Sequence, residues 1–301
     1  MLFRISMLKR HKLPVPVIII GNITVGGTGK TPLVILVTSF LKQQGYRPGI
    51  ISRGYGGKAF EKNRSPDQPL AVYSDSDPRQ AGDEPVLMAQ RCQCPVRISP
   101  NRVAAAQNLL DETDCNVIVS DDGLQHYSLE RDLEIVVIDN QRRFGNGHCL
   151  PAGPLRERVS RLKEADIVVG NGGAESGETE MRLNMLEIAG VSDSNNNHIA
   201  PLLEYKDRKV HAVAGIGNPE RFFKQLNDFG MQTINHPFAD HHDFTLADIT
   251  FDDDLPVLMT EKDAVKCRSF SGSQHWFVPV TAECDGTMLT LISSRLKEIH
   301  G

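Results

Sequence analysis

The sequence lacks a long hydrophobic run: no stretch of about 18 or more apolar residues occurs, so no segment is expected to span a membrane. It also lacks an excess of positive charge, because the formal net charge is −5, and this disfavours an enzyme that acts on nucleic acid. Paired Cys-x-x-Cys spacing is absent among the six cysteines, which favours reduced thiols in a cytosolic compartment. The 301 residues, 40% of them hydrophobic, predict one large or two medium globular domains.

The first thirteen residues, Met1 to Leu13, mix apolar side chains with basic ones. This composition suits a segment that lies on an anionic lipid surface. A frayed basic tail ahead of the first strand is an equally good interpretation.

A glycine-rich loop follows the apolar run Val17 to Ile20 and precedes a stretch with helical spacing. Backbone N–H groups of such a loop surround phosphate oxygens, Lys30 can reach the β- and γ-phosphates, and Thr31 can hold Mg²⁺. The strict P-loop has a glycine where this chain has Thr24. A site for a nucleoside triphosphate is therefore predicted, and the alternative is a glycine turn that only joins a strand to a helix. The predicted nucleotide-binding residues are Thr24, Gly26, Gly27, Thr28, Gly29, Lys30 and Thr31.

Apolar segments typical of strands alternate with helical segments over the first 170 residues. Strands are expected at 47–52, 116–120, 134–138 and 166–169, and a helix is expected after Asn101. A polar segment at 58–80 is expected to form a surface loop. The pattern predicts an α/β fold of the P-loop NTPase type, with a mostly parallel sheet flanked by helices.

The second half of the chain predicts a smaller α/β unit. Glycines and the polar cluster Ser192–Asn197 place the boundary near 170–200, which divides the chain into a core of residues 1–170 and a unit of residues 171–301. Strands are expected at 209–214, 256–259 and 276–280, and helices at 220–229 and 286–300. The last helix belongs either to this unit or packs back on the core.

Two pairs of acids are candidates for chemistry beside the glycine loop. Asp121 and Asp122 end an apolar strand, as expected for acids that bring Mg²⁺ to a P-loop, although a cap on the next helix would look similar. Asp83 and Glu84 follow Gly82, where one could act as a general base and the other serve the metal. Favourable interaction with a helix dipole explains the second pair equally well.

Three further segments carry charge. Asp240-His241-His242-Asp243 could tune proton transfer near neutral pH, or it could be an exposed polar turn. Arginines between 142 and 161 suit an anionic ligand, and a solvated basic loop is the alternative. The segment Thr260-Glu261-Lys262-Asp263 has a superficial likeness to a guanine-reading motif, but Glu261 interrupts that pattern and guanine specificity is not predicted.

From Val15 to Lys266 the sequence resembles the tetraacyldisaccharide 4′-kinase family, the lipid A 4′-kinases of Gram-negative bacteria. The resemblance rests on several motifs in one order: Pro14–Val17 leading into Gly21-Asn22, then residues 26–32, 52–57, 82–85, 121–126, 143–147, 150–154, Asp240-His241 and 260–266. The Thr24 departure is typical of the family. Members usually begin with a longer hydrophobic anchor, so either the true start lies upstream or the basic-apolar tail and a lipid-facing groove provide membrane contact.

The resemblance implies transfer of the γ-phosphate of ATP to the 4′-hydroxyl of a tetraacyl glucosamine disaccharide 1-phosphate, with Mg²⁺, giving lipid IVA. It implies that Lys30 and Thr31 serve ATP and the metal, and that Asp83 acts as base with His241 as its partner in a dyad. His241 is chosen over His242 because Asp-His is the matching pair. Glu84, Asp121 and Asp122 would serve Mg²⁺ or position phosphates. A monomer at the cytoplasmic face of the inner membrane, with no nucleic-acid partner, is expected.

Two other classes of protein fit the sequence less well than the kinase. A deviant P-loop switch or partition ATPase carries a second lysine that reaches across a dimer, and this chain has Val25 in that position. A nucleotide-dependent metal-insertion chaperone would need a delivery motif rich in Cys or His, and the sequence has none.

Overall fold

The computed structural model describes residues 10–61, 64–192 and 198–300. Residues 1–9 of the basic-apolar tail and residues 193–197 of the polar cluster lie outside these ranges. Within the described ranges, no helix has both the length and the apolar character that a membrane span requires.

The described residues form strands and helices in alternation. The strands are β1 Val17–Gly21, β2 Pro48–Ser52, β3 Leu70–Val72, β4 Val96–Ile98, β5 Val117–Asp121, β6 Leu133–Asp139, β7 Ile167–Asn171, β8 Thr179–Asn184, β9 Glu187–Gly190, β10 Ile199–Pro201, β11 Lys209–Ala214, β12 Gln232–Pro237, β13 Val257–Thr260, β14 His275–Val278 and β15 Thr281–Cys284. The α-helices are α1 Lys30–Gln43, α2 Pro78–Ala81, α3 Asp83–Cys92, α4 Arg102–Glu112, α5 Pro219–Asp228, α6 Glu261–Cys267 and α7 Gly286–His300. Short 3₁₀ helices cover Val159–Glu164, Leu202–Tyr205 and Leu246–Ile249.

The larger sheet has the strand order β15-β8-β7-β6-β1-β5-β2-β4-β3. Its strands run parallel except at the two edges, where β15 and β3 are antiparallel to their neighbours. The smaller sheet has the order β10-β9-β14-β13-β11-β12, and its four strands from β14 to β12 are parallel. The predicted α/β fold with a large, mostly parallel sheet flanked by helices is confirmed.

Alternation of side chains along β1 explains why helices cover both faces of the larger sheet. Ile18 and Ile20 point into the core shared with α1, α3 and α7, whereas Val17 and Ile19 point into the core shared with α4. A strand that is buried on both faces reads as a continuous apolar run because each face needs its own hydrophobic residues.

Sheet membership does not follow a single cut near residue 170. β8 and β15 lie beyond that position and belong to the larger sheet. Helix α7 packs Met288, Ile292 and Leu296 into the core of that sheet. The second sheet therefore occupies an insertion between β8 and β15, and the division into residues 1–170 and 171–301 stays a prediction.

Helix α6 lies between the two hydrophobic cores. Its Val265 belongs to the core beneath α1 and α3, while Ala264 and Cys267 belong to a core of the smaller sheet. This helix was not predicted from the sequence, because it is short and begins directly at the end of β13. Its position makes it a direct link between α3 and the smaller sheet.

Candidate active site

The glycine-rich loop joins β1 to α1, as predicted. Gly26 and Gly29 have φ angles of 90° and 91°, which L-residues with a side chain rarely adopt. Gly29 directly precedes the first helical residue, Lys30. The predicted nucleotide-binding residues from Thr24 to Thr31 thus lie together at the N-terminus of a buried helix, where backbone N–H groups favour anions.

Contacts from three other segments hold the loop in place. Asn171, at the end of β7, donates a hydrogen bond of 3.0 Å to the carbonyl of Thr28. Arg142 donates one of 2.6 Å to the carbonyl of Gly27. The backbone N–H of Val25 donates to the carbonyl of Pro154 at 2.9 Å. Two of these contacts hold the loop by its carbonyl groups, at Gly27 and Thr28, and one by the N–H group of Val25.

Lys30 lies beside Asp122, with 3.6 Å between its Nζ atom and Oδ1. Arg156 Nη1 donates to both oxygens of Asp122 at 2.9 Å. Burial acts to raise the pKa of Asp122, but the charges of Lys30 and Arg156 outweigh it, and the pKa lies below its usual value. Asp122 is therefore an ion-pairing group that orients Lys30.

Asp121 has a different environment. It ends β5 beside Ile20 of β1, and the residue is only 2% exposed. Ser52 Oγ donates to Oδ2 at 2.9 Å, whereas Oδ1 is buried without a hydrogen-bond partner in the described ranges. Burial, together with the charges of Glu84 and Asp122, raises the pKa of Asp121 to about 7. An unpartnered carboxylate oxygen among other acids is suited to a cation.

Asp83 and His241 meet although 157 residues separate them in the chain. His241 Nδ1 lies 3.0 Å from Asp83 Oδ2, and Lys266 Nζ lies 3.6 Å from the same oxygen. Burial acts to raise the pKa of Asp83, but the hydrogen bond with His241 and the charges of Lys266 and Lys262 outweigh it, so the pKa is lowered. Asp83 is thus held ionised as the first residue of α3.

His242 does not reach Asp83. Its Nε2 lies 3.3 Å from Asp248 Oδ2, and its ring packs against Phe238 and Phe244. The backbone separates the two histidines because His241 has a φ angle of 60°. The structure therefore brings His241, the residue selected by the resemblance, to the acid.

Residues that the sequence interpretation missed surround these groups: Ser52, Asn171, Lys262 and Lys266. Lys262 and Lys266 lie four residues apart on α6 and therefore on one face of the helix. That spacing, behind the capping residue Thr260, was the signal that could have identified them. The segment 260–266 thus places the charge of Lys262 beside Glu84 and that of Lys266 beside Asp83.

The arginine-rich segment serves several purposes. Arg142 and Arg156 contact the glycine loop and Asp122. Arg143 instead pairs with Glu178, and Arg161 pairs with Glu134. Only part of this segment therefore faces the candidate site.

We expect Gly56→Ala to lower kcat at least about 10-fold, because a Cβ atom there would lie 2.8 Å from His241 Nδ1 and displace the ring from Asp83. Gly45→Ala is the matched control. Gly45 has a similar φ of 85° but open space around a Cβ, so only backbone strain of about 1–2 kcal/mol is expected. Steady-state kinetics and thermal unfolding of both variants test this, and equal losses of activity would contradict it.

Comparison with known proteins identifies the family of the chain. A family model described as tetraacyldisaccharide-1-P 4′-kinase matches residues 1–297. A tetraacyldisaccharide 4′-kinase of Nitrosococcus oceani is 51% identical over 288 residues, 96% of this chain and 82% of the relative. The corresponding protein of Methylobacillus flagellatus is 50% identical over 299 residues, 99% of this chain and 87% of the relative. A crystal structure of LpxK from Aquifex aeolicus in complex with ATP has a TM-score of 0.80 and 29% identity, and the match covers 98% of this chain and 93% of that one. The chain belongs to the tetraacyldisaccharide-1-P 4′-kinase family.

Proposed function

We propose that this protein transfers the γ-phosphate of ATP to the 4′-hydroxyl of a tetraacyl glucosamine disaccharide 1-phosphate, giving lipid IVA in lipid A biosynthesis. The observation that carries the proposal is the contact between His241 and Asp83, the first residue of α3. The next residue, Glu84, acts through its charge on Asp121 at the end of β5. We infer that the candidate base and the phosphate-binding loop act on the same substrates. Family membership supplies the substrate class.

Lys30 and the loop from Thr24 to Thr31 are proposed to bind the ATP phosphates. N–H groups at the N-terminus of α1 would face the phosphate oxygens, and Lys30 Nζ would exchange its contact with Asp122 for the β- and γ-phosphates. Arg156 would then keep Asp122 in place. Positioning of this kind supplies most of the catalysis in phosphoryl transfer.

Thr31, Glu84, Asp121 and Asp122 are proposed to be the residues that would hold Mg²⁺. The described residues contain no ready-made cluster of three or more His, Cys, Asp or Glu ligands. Mg²⁺ commonly takes one or two carboxylates and completes its shell with water and substrate phosphates. The unpartnered Oδ1 of Asp121 is the best-placed ligand. When bound, the ion would neutralise charge on the transferred phosphoryl group.

Asp83 is proposed to accept the proton of the 4′-hydroxyl. His241 and Lys266 both contact its Oδ2 atom, which leaves Oδ1 to face the hydroxyl. The lowered pKa keeps the carboxylate ionised at neutral pH, as a base requires. His241 orients the carboxylate and completes the dyad.

The metal-free protein provides a test of the assignments of Asp121 and Asp122. Asp121 has a folded-state pKa of about 7, above its ordinary 3.8, so its ionisation costs stability progressively as pH rises through that window. At pH 8 we expect Asp121→Asn to raise the free energy of unfolding by roughly 2–4 kcal/mol and to remove stabilisation by Mg²⁺ with ATP. Asp122→Asn is the matched control, and we expect it to lower the free energy of unfolding at pH 8. The pKa of Asp122 is lowered by ion pairs, and the stability that they contribute is present above about pH 4. Chemical denaturation at pH 8 measures both, and stabilisation by both substitutions would contradict the assignment.

We further propose that the protein acts as a monomer at the cytoplasmic face of the inner membrane. Lys30, Asp83, Asp121 and His241 all come from one chain, so the site needs no second copy. The lipid substrate resides in a membrane and ATP is available on the cytoplasmic side. We expect the unit that carries His241 and the core that carries Lys30 to close over ATP and the sugar.

Incubation with γ-³²P-labelled ATP, Mg²⁺ and the tetraacyl disaccharide 1-phosphate tests the function. We expect label in the lipid fraction, and none when the lipid is omitted. If folded protein releases the label only as inorganic phosphate, the kinase function is wrong, and an ATPase of the switch type is favoured instead.

A further inference from the structure

Lys262 occupies a fixed place at the first turn of α6. Its neighbour Glu261 accepts a hydrogen bond of 2.6 Å from Arg91 of α3 and one of 3.4 Å from the backbone N–H of Val280. Asp263 is fully buried and accepts from Thr260 Oγ1 at 2.6 Å and from the N–H of Gly215 at 2.9 Å. The residues on either side of Lys262 are therefore anchored to α3 and to the smaller sheet.

The ammonium group of Lys262 lies among three groups of the candidate site. Its Nζ atom is 3.5 Å from His241 Nε2, 3.5 Å from Glu84 Oε1 and 3.5 Å from Asp240 Oδ1. The side chain is 18% exposed. Two carboxylates and a ring nitrogen thus share one cation.

The hydrogen-bonding capacity of lysine fixes where the proton of His241 must be. An ammonium group has three donors and no acceptor, so the ring nitrogen that faces it must be the unprotonated one. Asp240 Oδ1, at 3.9 Å from Nε2, is too distant to accept a proton from that nitrogen. A neutral imidazole with a bare Nε2 carries its proton on Nδ1, which points to Asp83 Oδ2 at 3.0 Å.

We propose that Lys262 is a positioning residue that holds His241 in the Nδ1–H tautomer, so that the ring donates its hydrogen bond to Asp83. The proposal rests on the proposed function of Asp83 as the base. The order of contacts is Lys262 to His241 Nε2, and His241 Nδ1 to Asp83 Oδ2. With Oδ2 engaged, Oδ1 is the oxygen that faces the substrate hydroxyl.

Loss of the ammonium group would free Nε2 to take a proton. Asp240 Oδ1 would then face that nitrogen at 3.9 Å, and a carboxylate, which only accepts hydrogen bonds, favours a proton on the ring nitrogen that faces it. A proton on Nε2 either leaves Nδ1 bare, with no hydrogen to donate to Asp83, or gives an imidazolium whose positive charge weakens Asp83 as a base. We expect Lys262→Met to lower kcat about 10–100-fold, as for other residues that orient a functional group through a hydrogen bond, with little change in KM for ATP.

¹⁵N NMR of the full chain labelled at histidine tests the proposal directly. The His241 signals are assigned by their loss in His241→Gln. We expect a bare Nε2 and a protonated Nδ1 in the parent and in Lys262→Arg, since arginine also only donates, and a protonated Nε2 in Lys262→Met. Lys224→Met, an exposed lysine that pairs with Asp228, is the matched control and is expected to give the parent spectrum and the parent kcat.

A protonated Nε2 in the parent, or a bare Nε2 in Lys262→Met, would overturn the proposal. Failure of Lys262→Arg to restore the parent tautomer would also count against it. The spectrum does not depend on catalysis. A parent that phosphorylates no lipid would overturn the proposed function and leave the tautomer measurement readable, so the two failures are distinguishable.

Discussion

Asp83→Asn is expected to lower kcat by about 10²–10⁴-fold while KM for ATP changes little. The substitution keeps the size and the position of the side chain but removes the oxygen that can accept the hydroxyl proton. Lys266 keeps its second partner, Asp263, at 2.9 Å, so the variant leaves no buried charge without a counter-ion. The expected loss is therefore in the chemical step, and steady-state kinetics with varied ATP and fixed lipid measure it.

Asp77→Asn is the control for this change. Asp77 caps the short helix α2 just ahead of Asp83, and asparagine is an equally good capping residue. Its kcat is expected to stay within about twofold of the parent value, because surface substitutions with a preserved cap rarely disturb a distant site. An Asp83→Asn variant with more than a tenth of the parent kcat would exclude Asp83 as the base.

Lys30→Met is expected to lower kcat/KM for ATP by about 10²–10³-fold, the usual cost of removing one preorganised cation from a charged transition state. Because Lys30 is proposed to bind the ground state as well, KM for ATP is expected to rise together with the fall in kcat. A raised KM for ATP together with a lowered kcat distinguishes Lys30→Met from Asp83→Asn, in which binding of ATP is retained. Nucleotide titration by calorimetry and steady-state kinetics give the two values.

The matched control for Lys30→Met is Lys42→Met in the same helix. Lys42 lies at the far end of α1, away from the glycine loop, and donates a hydrogen bond of 2.8 Å to the carbonyl of Cys92 in α3. We expect a small loss of stability in this control and unchanged affinity for ATP. Equal effects of the two substitutions on ATP affinity would show that the helix, and not the ammonium group of Lys30, is responsible.

The central strands could be predicted because they are buried on both faces. The apolar runs that form β1, β5, β6 and β7 are typical of strands covered on both faces, and each was expected within two residues of its observed bounds. The strands β3, β4, β8, β9, β10, β12 and β15 were missed. Most are three or four residues long or half-exposed, so neither length nor apolar character distinguishes them from loops.

Some contacts of the candidate site could likewise be predicted from the sequence, and others could not. Lys30, Thr31 and Asp121 could be placed together because a loop after one parallel strand lies beside the end of its neighbour. The contact of Asp83 with His241 has no local signal, and only the resemblance to a family suggested it. Lys262 was overlooked because its role depends on α6 packing between two cores, which is a property of the tertiary fold.

The position of the new phosphate on the lipid tests the central claim most directly. After reaction of the tetraacyl disaccharide 1-phosphate with ATP and Mg²⁺, a ³¹P–¹H correlation spectrum of the purified lipid identifies the carbon that carries each phosphate. We expect a second phosphomonoester coupled to the proton at C4′, formed by the parent protein and not detectably by Asp83→Asn over the same time. A phosphate on another hydroxyl, or consumption of ATP with an unchanged lipid, would contradict the account.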